Sequence, residues 1–446
     1  MPARSSALWA ALFLAAAACS GDDGGTTPVA AGWRPPDAIG ATDTGGFAPK
    51  LATAPNGDIY LVFYGDHEVW ARRWVAATAA WDPLFRLNDG TTNAANPVLA
   101  VDAAGDAVVT WWGDHAQPIE VASFDASAGW PAGWSTIDAI PAQANTTAQP
   151  SAIALADDGS AAMVWVDVAN DVRTIGASIR EAGGAWTAPV RISGDATYAE
   201  GPSIALADLG DELRVVAIWE GPGIHTEGDV MTYSKTAHAG TWEPPVQLDT
   251  ETSRRALPRR VAIDAAGRAL AMFEVSDAYG QDAEVITARH DGGWSPPEVM
   301  STTPSENGAD PSLAVDDEGH AMLSWRECAT TCRMMTRRYT GGAWQPAVAV
   351  AGVDTGGAVA ISGDHALVVW SEQEPNGGWE SMHGASFDGT AWSAPQLLET
   401  EDQADNGTTY DVTLRHGHAG LAAWVRGVGE PPHLMRSISG ALFGDP

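Results

Sequence analysis

Short apolar runs of about five to seven residues alternate with Gly- and Asp-rich turns along nearly the whole chain beyond residue 32. The clearest instance is Pro311 to Val350. Ser312 to Asp316 is one run. The turn Asp317-Glu318-Gly319 leads to Ala321 to Trp325, a loop leads to Arg333 to Tyr339, and Gly341-Gly342 leads to Trp344 to Val350. Runs this short, separated by residues that tolerate tight turns, predict four consecutive antiparallel strands. They are termed a, b, c and d.

The unit recurs. A Trp opens strand d at Trp33, Trp81, Trp134, Trp186, Trp242, Trp294, Trp344 and Trp392. An aromatic ends strand b at Phe63, Trp111, Trp165, Trp219, Phe273, Trp325, Trp370 and Trp424. A period of about 45–56 residues with four strands per unit predicts an all-β fold, a β-propeller of about eight four-stranded blades. Seven is the alternative, should the seventh unit (Gly357 to Leu398) pack irregularly. Strand a repeats as Leu99-Ala100-Val101-Asp102, Val261-Ala262-Ile263-Asp264 and Leu313-Ala314-Val315-Asp316. Its small central Ala suits the crowded axis, and its continuous apolar run predicts burial on both faces. The Asp-x-x-Gly turns after it predict an Asp that caps its own turn and a Gly at positive φ.

The ends predict how the ring closes. Residues 33–39 read as a strand d with no a, b or c before it. Tyr410 to Leu414, Ala419 to Trp424 and His433 to Ser439 supply a, b and c with no Trp-marked d after them. Pairing the N-terminal strand with the last blade removes two exposed sheet edges.

The a–b module Ala314-Val315-Asp316-Asp317-Glu318-Gly319-His320-Ala321, ending at Trp325, resembles the repeats of sialidase-like propellers of exported bacterial lipoproteins. The resemblance covers about residues 33–439 and implies fold more than chemistry. The chain departs from the family pattern. No unit shows Ser-x-Asp-x-Gly-x-x-Trp at its c–d turn, no Arg-Ile-Pro segment occurs, and neither an arginine triad nor a Tyr/Glu nucleophile pair is assignable. Ser386-Phe387-Asp388-Gly389-Thr390-Ala391-Trp392 is faintly similar to segments of fucose-binding lectin propellers.

Composition narrows the partners. The chain has 446 residues, 57 acids and 24 bases, and a net charge of −33. Long-range attraction to nucleic acid or anionic lipid is thereby excluded. Residues 1–19 read as a lipoprotein signal peptide. Arg4 is followed by the apolar stretch Ala7 to Ala18, too short to span a membrane, which ends at Ala16-Ala17-Ala18-Cys19. This resembles a lipobox with Ala16 in place of the usual Leu. It implies lipidation of Cys19, ordinary cleavage near Ala18 being the alternative. Residues 20–32 read as a flexible tether, and 33–446 as a single propeller domain. Ser20 after the Cys implies an outer-membrane destination. The expected protein is thus an exported lipoprotein, monomeric, attached to the membrane only through its N-terminal lipid. In that oxidising setting Cys328 and Cys332 are expected to form a disulfide across the b–c loop of the sixth unit.

In a propeller the b–c loops and the d-to-a connections share one face, and three features fall there. The first is an acidic series after strand b: Asp66, Asp114, Asp167, Glu220, Glu274, Glu327 and Glu372, broken by Arg426. It is a candidate Ca²⁺ or cation site, with hairpin capping and solvation as the alternative. No other cofactor is expected. The second is a duplicated motif, Tyr64-Gly65-Asp66-His67 and Trp112-Gly113-Asp114-His115. An aromatic beside an acid and an imidazole suits sugar stacking or a metal pair, and two related blades sharing a loop is the alternative. Trp70, Trp74, Trp112, Trp130 and Trp379 fall outside the two repeat columns. The third is Arg254, Arg255, Arg259 and Arg260, suited to bidentate capture of carboxylate or phosphate, or to pairing with the abundant acids. No nucleotide loop, zinc signature or nucleophile elbow occurs. The expectation is a binding or scaffold module for a glycan or protein partner. A glycan-active glycosidase or lyase is the first alternative and a structural spacer the second. Paired acids in a pocket, one of them desolvated, would favour the enzyme.

Overall fold

The computed structural model describes residues 32–40, 46–90, 93–113, 119–140, 147–195, 198–210, 212–222, 230–238, 241–249, 254–277, 279–306, 308–353, 355–373, 380–400, 410–414, 419–428 and 435–444. The signal segment, Cys19 and the tether lie outside them, as do Asp114, His115 and Trp379.

Strand and turn propensities act as the repeat demands. Among the described residues the strands form eight antiparallel sheets, each ordered a-b-c-d. The sixth is Ser312–Val315, Ala321–Cys328, Cys332–Thr340 and Ala343–Trp344, with Val348–Gly352 also on the third strand. The seventh unit forms its own sheet from Gly357–Ser362, His365–Gln373, Glu380–Phe387 and Gln396–Thr400. Each strand a touches the strand a of the next sheet, and Phe47–Thr53 of the first touches Tyr410–Leu414 of the eighth, so the ring is closed. Across that seam Leu51 N donates to Asp411 Oδ2 at 2.9 Å, and the Thr53 and Thr413 hydroxyls meet at 2.6 Å.

The eighth blade takes its outer strand from the N-terminus, as its missing strand d predicts. Asp37 and Ala38 pair with Gly440 and Ser439 of Met435–Phe443. Arg34 N reaches Leu442 O at 2.8 Å, and Ile39 N reaches Ile438 O at 2.9 Å. Trp33 packs edge-on to Phe443 with ring centroids 5.2 Å apart. A Cβ on Gly384 would stand 2.8 Å from the Trp33 ring, so the absent side chain makes room for the indole.

There is no single core. Apolar clusters lie between successive blades, as where Val164 and Trp165's neighbours in the third blade meet Ala217 and Trp219 in the fourth. Strand b carries this burial. Ala269–Ser276 is buried at every position, and Trp111, Trp165, Trp325, Trp370 and Trp424 are fully buried. Strand a is buried as expected in the fourth blade, at Ile204 to Ala207, and mostly so in the seventh, but is only half-buried in the second and sixth. The Asp-x-x-Gly turns form as expected. Asp264 Oδ1 accepts from Ala266 N and Arg268 N at 3.0 and 2.8 Å, and Gly267 takes φ +76°.

A third aromatic column, on strand c, completes the packing. Trp74, Phe124, Tyr339, Phe387 and Phe443 each pack against the strand-d Trp of their own blade. This absorbs Trp74. Trp130 is absorbed as well, packed on Phe85, Phe124 and Trp134 with its Nε1 donating to Pro83 O at 2.8 Å. Trp70 packs half-buried on the cluster between the eighth and first blades. The predicted disulfide joins Cys328 and Cys332, which are cross-strand partners.

Candidate functional site

The acidic series is mostly buried rather than solvated, because most of its members accept hydrogen bonds within the blades. Glu372 Oε1 accepts from Trp370 Nε1 at 2.7 Å, and Glu327 accepts from Trp325 Nε1, Thr302 N and the Thr302 hydroxyl. Those hydrogen bonds hold the Glu327 carboxyl below its ordinary range despite burial, the largest single influence, which acts the other way. Where Arg426 breaks the series, Glu399 replaces the missing acid, taking Trp424 Nε1 at 2.7 Å and pairing with Arg426 at 2.9 Å. In the last three blades a carboxylate therefore anchors the strand-b indole. Among the described residues they do not gather, with His or Cys, into a group of three that could hold a metal.

The arginine cluster disperses because successive strand residues face opposite ways. Arg254 pairs with Glu284 and donates to Val275 O at 3.0 Å. Arg255 lies 3.8 Å from Glu220, and Arg259 is 3.2 Å from Glu274. Arg260 is exposed. The four do not form one bidentate anion clamp. Arg255 and Arg259 instead bring the basic cluster and the acidic series together.

In the duplicated motif, Tyr64 stacks on Phe47 at 5.3 Å and joins the packing between the first two blades. Asp66 and His67 are exposed and form the b–c turn with φ +49° and +69°. Trp112 is half-buried opposite Ala95. The acid and imidazole of the second copy lie outside the described residues.

Two arrangements on this face were not read from the sequence. The first is an axial cavity of about 490 Å³ where the a strands begin. Lys50 of the first blade and Arg259 of the fifth lie across the axis from each other on its wall, with Asp310, Ser312, Ser371 and Tyr410 between them. Lys50 is exposed and is one of only two lysines in the chain, the other being Lys235. Asp310 is held 3.2 Å from Arg326, and the Tyr410 hydroxyl donates to Gly356 O at 2.6 Å. The sequence signal was the rarity of lysine itself, which the repeat columns obscure.

The second lies beside it. The Tyr198 hydroxyl stands 2.9 Å from Glu200 Oε2 and 3.0 Å from Glu220 Oε1. Glu200 and Glu220 are cross-strand partners, and Glu200 also pairs with Arg173. A phenol has one proton to donate, so both contacts are hydrogen bonds only when one carboxyl keeps its own proton. Burial raises the Glu220 carboxyl, and the Tyr198 bond with Arg255 and Arg259 only partly offsets it. Burial and Glu220 likewise raise the Tyr198 phenol. This is a Tyr–carboxylate pair, which the sequence alone does not assign because Tyr198 lies outside every repeat column. The arrangement can hold and pass a proton.

A consequence concerns stability. A carboxyl raised by folding binds its proton more tightly in the folded chain. That contribution is present below the ordinary carboxylate range and is lost as pH rises through the raised value. Wherever Glu220 is charged, it thus opposes folding. Glu220→Gln is expected to raise the melting temperature by about 2 °C at pH 7 and to leave it unchanged near pH 4. Thermal melts at the two pH values check this; a variant less stable at pH 7 would contradict it.

No family model matches the chain, and no curated protein matches it. Among solved structures, an ulvan lyase of a new polysaccharide lyase family, bound to GlcA(1-4)Rha3S, superposes with a TM-score of 0.49 at 13% identity over 92% of this chain and 96% of that one. The β-propeller domain of the Trilobed protease from Pyrococcus furiosus gives 0.44 at 9% identity, over 80% and 96%. A lectin of Aleuria aurantia gives 0.36 at 12% identity, over 71% and 98%.

Proposed function

We propose that the chain is an envelope-anchored recognition module that binds a glycan bearing carboxylate or sulfate groups in its axial cavity. One observation carries this reading. In a chain of net charge −33, a lysine and an arginine lie across the axis from each other on the wall of one cavity. Its size lies within the range of small-molecule sites, and hydroxyls alternate with the cations on its wall. The cations would read the acidic group, and Ser312, Ser371 and Tyr410 the ring hydroxyls. The anchor in this reading is the lipid on Cys19, and the partner is a saccharide of the cell envelope or its surroundings.

Calorimetric titration with acidic and neutral oligosaccharides tests it. An acidic ligand is expected to bind. Lys50→Met and Arg259→Met should each weaken it about 10–100-fold, the worth of a charge-assisted hydrogen bond, and affinity should fall with added salt. Equal binding of neutral sugars, or variants that bind as the parent does, would overturn the reading.

The Tyr198–Glu220 contact favours a second reading, in which the face also cleaves what it binds. It supplies the desolvated acid beside a second carboxyl that acid–base chemistry uses. Release of reducing ends during the same titrations, abolished by Tyr198→Phe, would move the assignment to an enzyme.

A further inference from the structure

On the opposite face of the ring the strand-c aromatic is replaced by Arg180 in the third blade, Ala237 in the fourth and His290 in the fifth, and a cavity opens beside the last of these. Where Tyr339, Phe387 and Phe443 pack on their strand-d Trp, the fifth blade has His290, set edge-on to Trp294 at 5.2 Å. Beside it lies a cavity of about 340 Å³ between the fifth and sixth blades, at the a–b and c–d turns. It shares no residue with the axial cavity. Gly319 closes one side, and a Cβ there would stand 2.6 Å from Asp264 Oδ2.

The wall is built on two sides. One is apolar, made by Trp294 with Leu270 and Val315. The other is polar and preorganised. Asp264, almost fully buried, holds the Arg268 guanidinium at 2.7 Å. Arg289 donates to the Tyr339 hydroxyl at 2.9 Å and lies over the Tyr339 ring. Two guanidinium groups are thus balanced by two carboxylates, Asp264 and Asp291. Such balance is unusual on so acidic a chain, and it disfavours a charged ligand of either sign. A volume near the lower end of small-molecule sites suits a single ring. Donors and acceptors facing an indole wall match a ring with hydroxyls around its edge and an apolar C–H face.

We infer that this inter-blade cavity is a second binding site, for one neutral pyranose unit. It is independent of the acidic-glycan site and differs from it in ligand charge.

The test is saturation-transfer NMR of the purified protein with glucose, galactose, mannose, fucose and N-acetylglucosamine, each up to about 50 mM, in the weak-binding regime expected of a single small site. At least one sugar is expected to give saturation transfer and a dissociation constant. His290→Phe installs the aromatic that five of the other blades carry there and fills the cavity, so it should abolish the signal. Arg289→Met should weaken binding about tenfold or more. Lys50→Met should leave it unchanged. The inference is overturned if no sugar binds, if binding survives both His290→Phe and Arg289→Met, or if Lys50→Met removes it. That last result would assign the signal to the axial cavity.

Discussion

Deletion of residues 33–39 is expected to abolish cooperative folding. The segment supplies the outer strand of the eighth blade and two buried side chains, Trp33 and Ile39. Truncating a buried Trp costs about 3–5 kcal/mol and a buried Ile about 2–5. Together these rival the whole stability of an ordinary domain, about 5–15 kcal/mol. The deletion also bares one edge of Met435–Phe443, a ready template for pairing with another chain. Circular dichroism melts should show no sharp transition, and light scattering should show association. A peptide spanning residues 32–40 added in trans should restore the transition in part. A deletion variant with an unchanged melting temperature would mean that the ring does not depend on its seam.

Gly176→Ala is expected to be strongly destabilising for a single-methyl change. Gly176 lies directly across from Trp165 on the neighbouring strand, and an added Cβ would meet the indole at 2.4–2.6 Å. Trp165 is fully buried and cannot swing away. Forcing volume into such a site costs about 1–3 kcal/mol or more. The neighbouring Ala177, which carries a methyl already, shows that the strand itself tolerates one. Denaturant unfolding of Gly176→Ala, Trp165→Phe and the double variant separates the causes. The double variant should recover part of the loss, since the smaller ring yields the space. Additive losses would mean that the two residues do not share it.

The fold was legible because its determinants recur. Eight Trp at strand d and eight aromatics at strand b mark the blades, and the lone N-terminal Trp33 strand marks the seam. Strand c was not read as a column because its members differ: Trp74, Phe124, Tyr339 and Phe387 share size and position but not identity. Trp74 and Trp130 consequently looked like spare aromatics when they are packing. The candidate site was less legible for a related reason. A period cannot show which residue of one blade meets which residue of another. Lys50 and Arg259 are 209 positions apart (259 − 50) yet share one cavity. Tyr198 sits in a connection with no counterpart in other units. The arginines were visible as a run, but strand alternation sends them to different partners. The acids were visible as a series, but which partner each one meets was not: Glu327 and Glu372 take strand-b indole N–H groups, Glu220 a tyrosine and Glu274 an arginine from another strand.

The seam also sets a schedule. Trp33 and its strand are made before every other strand of the ring, and Phe443, against which Trp33 packs, comes about 400 residues later. At about 5–20 residues per second the wait is on the order of 20–80 s. Throughout it an indole and an unpaired strand remain uncovered, and the first blade lacks the neighbour that covers one of its faces. Each intermediate blade can dock on the one before it as it emerges; the last must capture a strand made at the outset. Yield is therefore expected to depend on whatever shields that strand in the interval, and the vulnerable period lengthens with every blade added between the two ends.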